Sequence, residues 1–181
     1  NGASGKYNSS MSFDGTDDYV YGSSNLGISG DAEFTMCAWI YWSGDSWSSS
    51  YPSFMGNNST GSSNTGLSFT VKDGRPAIDF WNNRFRATGA LSVKTWYHIC
   101  GTKTQGVIGS TSKIYVNGNL VSGEVEGTNI TPDITNSIPI IGRLDATRWF
   151  NGKIDDARFF NYPLTLTQVK SLYNGGAIRF K

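Results

Sequence analysis

Apolar residues along this chain recur mostly at every second position, in short segments separated by turn-forming residues. In the segment EFTMCAWIYW, residues 33–42, both sides of an extended strand are apolar. A strand with two apolar faces is covered on both sides, so this segment is predicted to be a central strand of the fold. Weaker alternation in SMSFDGTDDYVYG and PSFMG predicts shorter strands.

Two dipeptides mark the tips of hairpins. Asp73-Gly74 joins LSFTVK to RPAIDFW, and Asn117-Gly118 joins KIYV to NLVSG. Both dipeptides favour the tight turns whose twist matches that of antiparallel strands. With TWYHICGTK, SIPIIG and GKIDDARFF as further strands, turns recur at roughly ten-residue spacing, which is typical of sandwiches. The pattern therefore predicts an all-β fold, an antiparallel β-sandwich or jelly roll.

One segment near the end of the chain has helical periodicity. In LTLTQVKSLYNGG, apolar residues recur three and four positions apart, and Thr165 and Gln168 match a capping box ahead of an Asn-Gly stop. A single short C-terminal helix is predicted over residues 165–173. Because so short a helix is marginal alone, we expect it to pack on the sandwich through Leu166, Val169 and Leu172.

Composition and charge exclude several classes of partner. Charged residues make up 16% of the chain and the net charge is +1, which indicates neither nucleic-acid binding nor an anionic membrane surface. No apolar run approaches the roughly eighteen residues of a membrane span, so we expect no membrane insertion. The length of 181 residues suits one domain. Because the chain opens without Met or a leader, we expect residues 1–181 to be one domain of a larger surface or secreted protein.

Five motifs in order give the chain a family resemblance. MSFDGTDDYVYG, EFTMCAWIYW, TWYHICGTK, KIYVNGNLV and FNGKIDDARFFNYPLTLTQVKSLYN together resemble the laminin-G-like jelly rolls of the concanavalin A-like lectin/glucanase superfamily, over residues 10–174. The resemblance implies two antiparallel sheets packed face to face, with the first and last strands adjacent. It also implies binding roles, mostly toward carbohydrate or protein, and often a calcium ion.

Two adjacent carboxylates, Asp155 and Asp156, interrupt the last strand pattern. Neighbouring strand residues point to opposite faces, so the two cannot act as a pair. The resemblance assigns the inward position to Asp155 and sets its strand beside the one that precedes Asp18. These two carboxylates are therefore a candidate Ca²⁺ site, because Ca²⁺ takes oxygen ligands. The alternative, that Asp155 accepts structural hydrogen bonds, stays open.

Catalysis has little support in the sequence. Glucanases of the superfamily carry an E-x-D-x-E strand that sets two acids on one face, and this motif is absent here. Glu124 and Glu126 share a face, but their polar, Gly-flanked surroundings predict a solvated hairpin edge. His98, the single histidine, lies within a strand pattern, which favours a structural role. We therefore predict a protein that is not an enzyme.

Aromatic residues in loops are the candidate ligand-binding residues. A sugar packs its C–H face on such a ring, while Asp, Asn and Arg bind its hydroxyls. Seven residues fit this description: Trp47, Tyr51, Trp81, Arg84, Asp145, Arg148 and Trp149. Trp47 and Tyr51 are the strongest candidates, because Ser and Gly surround them. The alternative, that these rings fold onto the edge of the sandwich, stays open.

Three features favour an extracellular location or the surface of a cell or virion. The chain is poor in charge and rich in Ser, Thr and Asn, it carries N-x-S/T sequons, and it has two cysteines. Cys37 and Cys100 both lie in apolar strand patterns, which leaves a disulfide and two buried thiols equally open.

Two functions from different classes follow from these features. We predict an extracellular, lectin-like recognition module that binds a glycan or surface glycoconjugate, with possible assistance from Ca²⁺. The second hypothesis is a structural or adhesion domain of a pilus, virion or cell-surface assembly, which contacts a protein partner and takes no small ligand.

Overall fold

The computed structural model describes residues 2–44, 51–57, 62–145 and 147–175. Fourteen strands and two short helices form within these ranges. The strands are β1 (Gly2–Ser4), β2 (Ser9–Asp14), β3 (Val20–Tyr21), β4 (Phe34–Trp42), β5 (Ser53–Asn57), β6 (Ser68–Lys72), β7 (Arg75–Asp79), β8 (Arg84–Ala87), β9 (Trp96–Lys103), β10 (Ser112–Val116), β11 (Asn119–Val121), β12 (Gly123–Glu126), β13 (Pro139–Ile141) and β14 (Asn151–Phe160). The helices are α1 (Ile108–Thr111) and α2 (Leu166–Tyr173).

The strands form two antiparallel sheets of seven strands each. Sheet A has the order β1-β2-β14-β4-β9-β10-β11, and sheet B has the order β12-β8-β7-β6-β5-β13-β3. The predicted all-β jelly-roll sandwich is confirmed, and β2 near the start of the chain pairs with β14 near its end. The one helix predicted from the sequence is α2; the four-residue α1 has no strong sequence signal.

Side chains from the inner faces of both sheets fill one apolar core. The central strand β4 contributes alternate residues to this core, as its two-sided apolar pattern predicts. The opposing sheet contributes aromatic rings, with those of Phe54 and Phe69 4.8 Å apart between their centroids. The largest fully buried apolar side chains include Phe34, Phe54, Phe69, Phe80 and Phe150.

Helix α2 covers the outer side of sheet A. A second, smaller apolar cluster there joins Leu164 and Val169 to Cys37, Cys100 and Tyr115 on the sheet. The two cysteines lie directly opposite each other on β4 and β9 and form a disulfide. This settles the alternative that the sequence left open.

The end of α2 that enters the cluster matches its sequence signals. The capping box of Thr165 and Gln168 is present, so this prediction is confirmed. The expectation that Leu166 packs on the sheet is wrong, because its side chain is 42% exposed. Leu164 takes its place: it precedes the N-cap and packs with Val169 at the fourth helical position, as in a hydrophobic staple.

The two predicted hairpin tips have the backbone conformation that their residues favour. Asp73 and Gly74 have φ of +51° and +77°, and Asn117 and Gly118 have φ of +51° and +76°. Positive φ at both central residues is the requirement of the type I′ turn. These two turns fix the registers of β6 with β7 and of β10 with β11.

A β-bulge interrupts β14 at the two adjacent carboxylates, and Asp155 does not face the core. Asp155 lies opposite Trp39 and Arg158 lies opposite Cys37, so β14 carries one extra residue in this interval. Asp156 has φ of +49°, in the left-handed region. Asp155 therefore faces the outer side of sheet A with Trp39, and the expectation that it points inward is wrong. Its Oδ2 accepts the backbone N–H of Tyr7 at 2.9 Å.

Substitutions at Asp156 distinguish a bulge from a regular strand. At positive φ, Asp156→Gly should change the free energy of unfolding by less than about 1 kcal/mol, whereas a β-branched Val is strained there. Asp156→Val should therefore be the less stable variant by about 1–2 kcal/mol in urea unfolding. In a regular strand the order reverses, because Val is a better strand former than Gly; that order would contradict the bulge.

His98 makes the stability of the fold depend on pH. Its ring lies on the outer side of sheet A between the rings of Trp39 and Tyr173. Burial lowers the pKa of His98 to about 4, with smaller effects from Asp156, which raises it, and Arg158, which lowers it. Between the unfolded pKa near 6.5 and this value, the unfolded chain binds a proton that the folded chain does not.

The free energy of unfolding should therefore fall as pH falls below 6.5. From pH 7 to pH 5 the loss assigned to His98 is about 2 kcal/mol. In His98→Phe, which keeps an aromatic ring, urea unfolding should show a smaller loss over the same interval. An identical slope in both proteins would mean that His98 is already accessible to protons in the folded state.

Candidate functional site

The outer side of sheet B carries rows of charged residues that run across its strands. On β6, β7, β8 and β12, alternate residues such as Phe69, Ile78 and Phe85 enter the core. The residues between them point outward, and the strand registers align them. We call this surface the charged face; its members are Lys72, Arg75, Asp79, Arg84, Arg86, Glu124 and Glu126.

A buried ion pair lies at the centre of the charged face. Asp79 and Arg84 are cross-strand neighbours, and Arg84 Nε donates to Asp79 Oδ2 at 2.9 Å. Both side chains are almost fully buried. Burial by itself would lower the pKa of Arg84, but the charges of Asp79 and Glu126 outweigh it and raise the pKa above its ordinary value.

Glu126 extends this network toward the edge of the sheet. Arg84 Nη1 donates to Glu126 Oε1 at 2.6 Å, and Lys72 Nζ pairs with the same oxygen. Burial would raise the pKa of Glu126, but the hydrogen bond from Lys72 and the charge of Arg84 lower it below its ordinary value. Glu126 is therefore held ionised as an acceptor.

Two aromatic rings adjoin the network. The ring centroid of Tyr51 lies 4.4 Å from the guanidinium of Arg84 and 4.8 Å from Lys72 Nζ. The guanidinium of Arg148 lies 5.6 Å from Tyr51 and 4.6 Å from the ring of Trp81. Trp81 follows β7 with φ of +60°, which turns the chain sharply beside Asp79. Cation–π contacts thus fix both rings against charged groups.

Of the buried polar atoms without a hydrogen-bond partner in the described part of the chain, three cluster at Asp79. They are Asp79 Oδ1, Arg148 Nη1 and Ser68 Oγ. Ser68 lies directly opposite Asp79 on the neighbouring strand, and Arg148 Nη1 is 3.9 Å from Asp79 Oδ2. Arg148 Nε also lies 3.5 Å from Asp145 Oδ2. Buried polar atoms normally find partners, so a cluster of unpaired atoms around one carboxylate is unusual.

The structure brings together five of the seven candidate ligand-binding residues. Tyr51, Trp81, Arg84, Asp145 and Arg148 all lie around Asp79. Trp47 lies outside the described residues. Trp149 belongs to a different cluster, where its ring lies 6.0 Å from Tyr19 and 4.8 Å from the guanidinium of Arg143.

Sequence reasoning found Arg84 but missed its partner at the centre of the charged face, Asp79. Asp79 stands in an apolar run, RPAIDFW. A buried Asp needs a cationic partner, so this position was a signal for a Lys or Arg on a paired strand. Glu124 and Glu126 were predicted to be solvated, but they form β12, which pairs with β8 and ion-pairs with its arginines. The solvated reading is therefore wrong for Glu126.

Asp18 and Asp155 do not come together, so the predicted two-residue calcium site is wrong. Their strands are adjacent, but Asp14 pairs with Asn151 and Met11 pairs with Ile154. Asp155 lies four residues along β14 from Asn151, which is about 13 Å, and Asn151 pairs with Asp14 at the end of β2. Asp18 lies beyond that end. The expected strand adjacency is right, and the register along the strands separates the carboxylates.

Asp18 instead joins two other acids in the turn after β2. One carboxylate oxygen each of Asp14, Asp17 and Asp18 lie within 4.8 Å of one another, and all three residues are exposed. Asp14 Oδ1 accepts the backbone N–H of Thr16 at 2.8 Å, which lowers the pKa of Asp14. Asp18 Oδ2 accepts the backbone N–H of Asp14 at 3.1 Å. These hydrogen bonds account for the turn by themselves.

Residues 14–170 match the family described as the concanavalin A-like lectin/glucanases superfamily, in a laminin-G-type form. The chain belongs to this superfamily. The match covers the strands from β3 to β14 and all of the candidate residues named above. No curated protein matches the sequence.

Solved structures share the fold at low identity. Domain 4 of AbnA, an extracellular arabinanase of Geobacillus stearothermophilus solved with arabinotriose, is 19% identical over 95% of this chain and 80% of its own, with a TM-score of 0.71. A putative carbohydrate-binding protein of Bacteroides ovatus is 21% identical over 89% of this chain and 45% of its own, with a TM-score of 0.66. A sialidase CBM40 of Ruminococcus gnavus, bound to α2,3-sialyllactose, is 10% identical over 87% and 97% of the two chains, with a TM-score of 0.59.

Across the described ranges, no helix has the length and apolar character needed to span a membrane.

Breaking the central ion pair should destabilise the fold strongly. Arg84→Met leaves buried Asp79 with only the longer contact to Arg148, so we expect a loss of about 3–5 kcal/mol in the free energy of unfolding. The matched control is Arg75→Met, which breaks a half-exposed pair with Glu124 on the same face and should cost less than about 1 kcal/mol. Adding Asp79→Leu to Arg84→Met should recover part of the loss. Equal effects of the two single variants in urea unfolding would contradict the buried pair.

Proposed function

We propose that this chain is a carbohydrate-recognition module that binds a glycan on the charged face of sheet B. One observation carries the proposal: the partly exposed rings of Tyr51 and Trp81 both contact the guanidinium of Arg148, which also borders the buried carboxylate of Asp79. Saccharide hydroxyls both donate and accept hydrogen bonds, and sugar C–H faces pack on aromatic rings. The set combines two rings with a cationic donor.

The network around the ligand-binding atoms is suited to holding them in place. Asp79 is fixed by Arg84, and Arg148 is held by Asp79, Asp145 and the two rings. Polar groups that are already oriented lose little entropy when a ligand binds. Neighbours of the same fold include proteins solved with arabinotriose and with α2,3-sialyllactose, which supports a saccharide as the ligand class.

The proposed role is binding without catalysis. Glycoside hydrolysis requires one carboxyl group to be protonated as an acid, which needs a raised pKa. Glu126 has a lowered pKa, and Asp79 is paired with two arginines. These carboxylates are therefore suited to accepting hydrogen bonds from a ligand rather than to delivering a proton.

Calcium remains a prediction, with a changed set of residues. The carboxylate oxygens of Asp14, Asp17 and Asp18 suit a hard cation that prefers oxygen ligands. Asp155 lies too far along β14 to join them. A melting temperature that rises on adding Ca²⁺ and falls with chelator, and that loses this response in Asp17→Asn, would support an ion at this turn.

The proposed setting is the outside of a cell. The disulfide between Cys37 and Cys100 agrees with an oxidising compartment. A glycan or surface glycoconjugate is the proposed partner. The competing role, an adhesion or structural domain that contacts a protein partner, predicts no saccharide binding at all, so the same experiment separates the two.

Glycan titration of matched variants tests the proposal. The wild-type chain should bind at least one member of a panel that includes arabinotriose and α2,3-sialyllactose in isothermal titration calorimetry. Trp81→Ala and Arg148→Gln should each weaken that binding by about tenfold or more, since each loses a ring contact or a buried hydrogen bond.

Two controls guard against effects on folding. Tyr162→Ala removes a 48% exposed aromatic ring that follows β14 of the opposite sheet, and Lys113→Gln removes an exposed charge on β10 of that sheet. Both should leave the affinity unchanged. Wild-type protein that binds no glycan in the panel, or variants at Trp81 and Arg148 that bind as wild type does, would count against the charged face as the site.

A further inference from the structure

A cleft separate from the charged face lies between β2 and the connection from β2 to β3. Its volume is about 410 Å³. Apolar side chains of Met11, Phe13 and Val20 line it together with Asp14, Asp18 and Tyr19. The charged face and this cleft share none of these residues.

Tyr19 stands at the mouth of the cleft as an exposed but fixed ring. The guanidinium of Arg143 lies 3.9 Å from its ring centroid, and the ring of Tyr21 meets it edge to face at 4.7 Å. Arg143 Nη2 also donates to the hydroxyl of Tyr21. Yet Tyr19 is 44% exposed and Tyr21 is 39% exposed. The ring of Trp149 lies 6.0 Å away as well. A ring that is fixed by its neighbours and still exposed offers a platform at little cost in side-chain entropy.

Carboxylates of the turn after β2 supply the polar part of the cleft. Asp14 and Asp18 each use one oxygen on backbone N–H groups of the turn, which orients both side chains. Both residues remain exposed, so their other oxygens are open to a ligand. Asp17 adds a third negative charge beside them. When the turn holds no cation, as in chelator, the cleft therefore accepts hydroxyl donors and repels anionic groups, and its sugar binding is measured in that state.

We propose that this cleft is a second saccharide subsite and that it takes neutral sugars. The C–H face of a sugar ring packs on Tyr19, and Asp14 and Asp18 accept hydrogen bonds from its hydroxyls. The charge of the cleft contrasts with the charged face, where Arg148 and Arg84 allow a carboxylate-bearing sugar. The subsite rests on the proposed glycan-binding function, and it lies between β2 of sheet A and the edge strand β3 of sheet B, apart from the charged face.

Amide chemical-shift mapping tests the subsite with three probes: arabinotriose and cellotriose as neutral trisaccharides and α2,3-sialyllactose as an anionic one. At least one neutral trisaccharide should shift amides of residues 14–21 in a saturable way. Sialyllactose should leave these amides unchanged. No neutral probe shifting residues 14–21, or sialyllactose shifting them equally, would overturn the proposal.

Variants separate this subsite from the charged face. Tyr19→Ala should weaken the neutral-sugar response of residues 14–21 by about tenfold and leave the response of the charged face intact. Tyr19→Phe keeps the ring and should bind within about twofold of wild type, which guards against a folding defect in the Ala variant. Trp81→Ala should produce the reverse pattern.

The two proposals fail in distinguishable ways. Shifts at the charged face without shifts at residues 14–21 would overturn the second subsite and keep the proposed function. Shifts confined to residues 14–21 would keep the subsite and move the function away from the charged face. Tyr19→Ala that binds as wild type does would also overturn the subsite.

Discussion

A strand must place alternate residues on opposite sides of its sheet, and in a sandwich the partner sheet buries one of those sides. The rest of this structure depends on how the outer sides of the two sheets are covered. Sheet A buries its outer side under helix α2, with an apolar cluster around the disulfide. Sheet B covers its outer side with paired charges and two aromatic rings. This difference sets an apolar, helix-covered side against a charged side, which is the one proposed to bind a glycan.

If stability were the sole requirement, charged residues would be a costly way to cover the outer side of sheet B. A buried ion pair roughly recovers its desolvation cost, and well-packed apolar residues of similar size often stabilise a protein as much or more. Asp79 and Arg84 form such a pair, and Asp79 keeps one oxygen without a partner. Stability alone therefore does not explain why charged residues cover this side.

The sequence predicted the parts of the fold that depend on local pattern. Period-two apolar segments gave the central strands, Asp73-Gly74 and Asn117-Gly118 gave two hairpin turns, and Thr165 gave the start of α2. It failed where register matters. The bulge after Asp155 adds one residue to β14. No local sequence pattern indicates which residue of a bulged strand is left unpaired.

The candidate site shows the same division. Aromatic and charged loop residues could be found from residue type, and five of them meet around Asp79. Grouping them by closeness in sequence was the weak step. Arg148 and Trp149 are consecutive, yet Arg148 turns toward Trp81 and Trp149 toward Arg143. Likewise, Asp18 follows β2 and Asp155 lies in β14; these two strands pair, but the two residues are far apart along the strand direction.

The disulfide also determines how the chain would respond to mechanical tension. Cys37 and Cys100 are 63 residues apart and link neighbouring strands in the middle of sheet A. A chain of that length could extend by roughly 210 Å if it were free. With the bond intact, a pull on the two ends of the chain bypasses this loop, which contains β5 to β8 and the pair of Asp79 and Arg84. Most of the charged face is thereby shielded from unravelling under shear, and reduction of a single bond would release it.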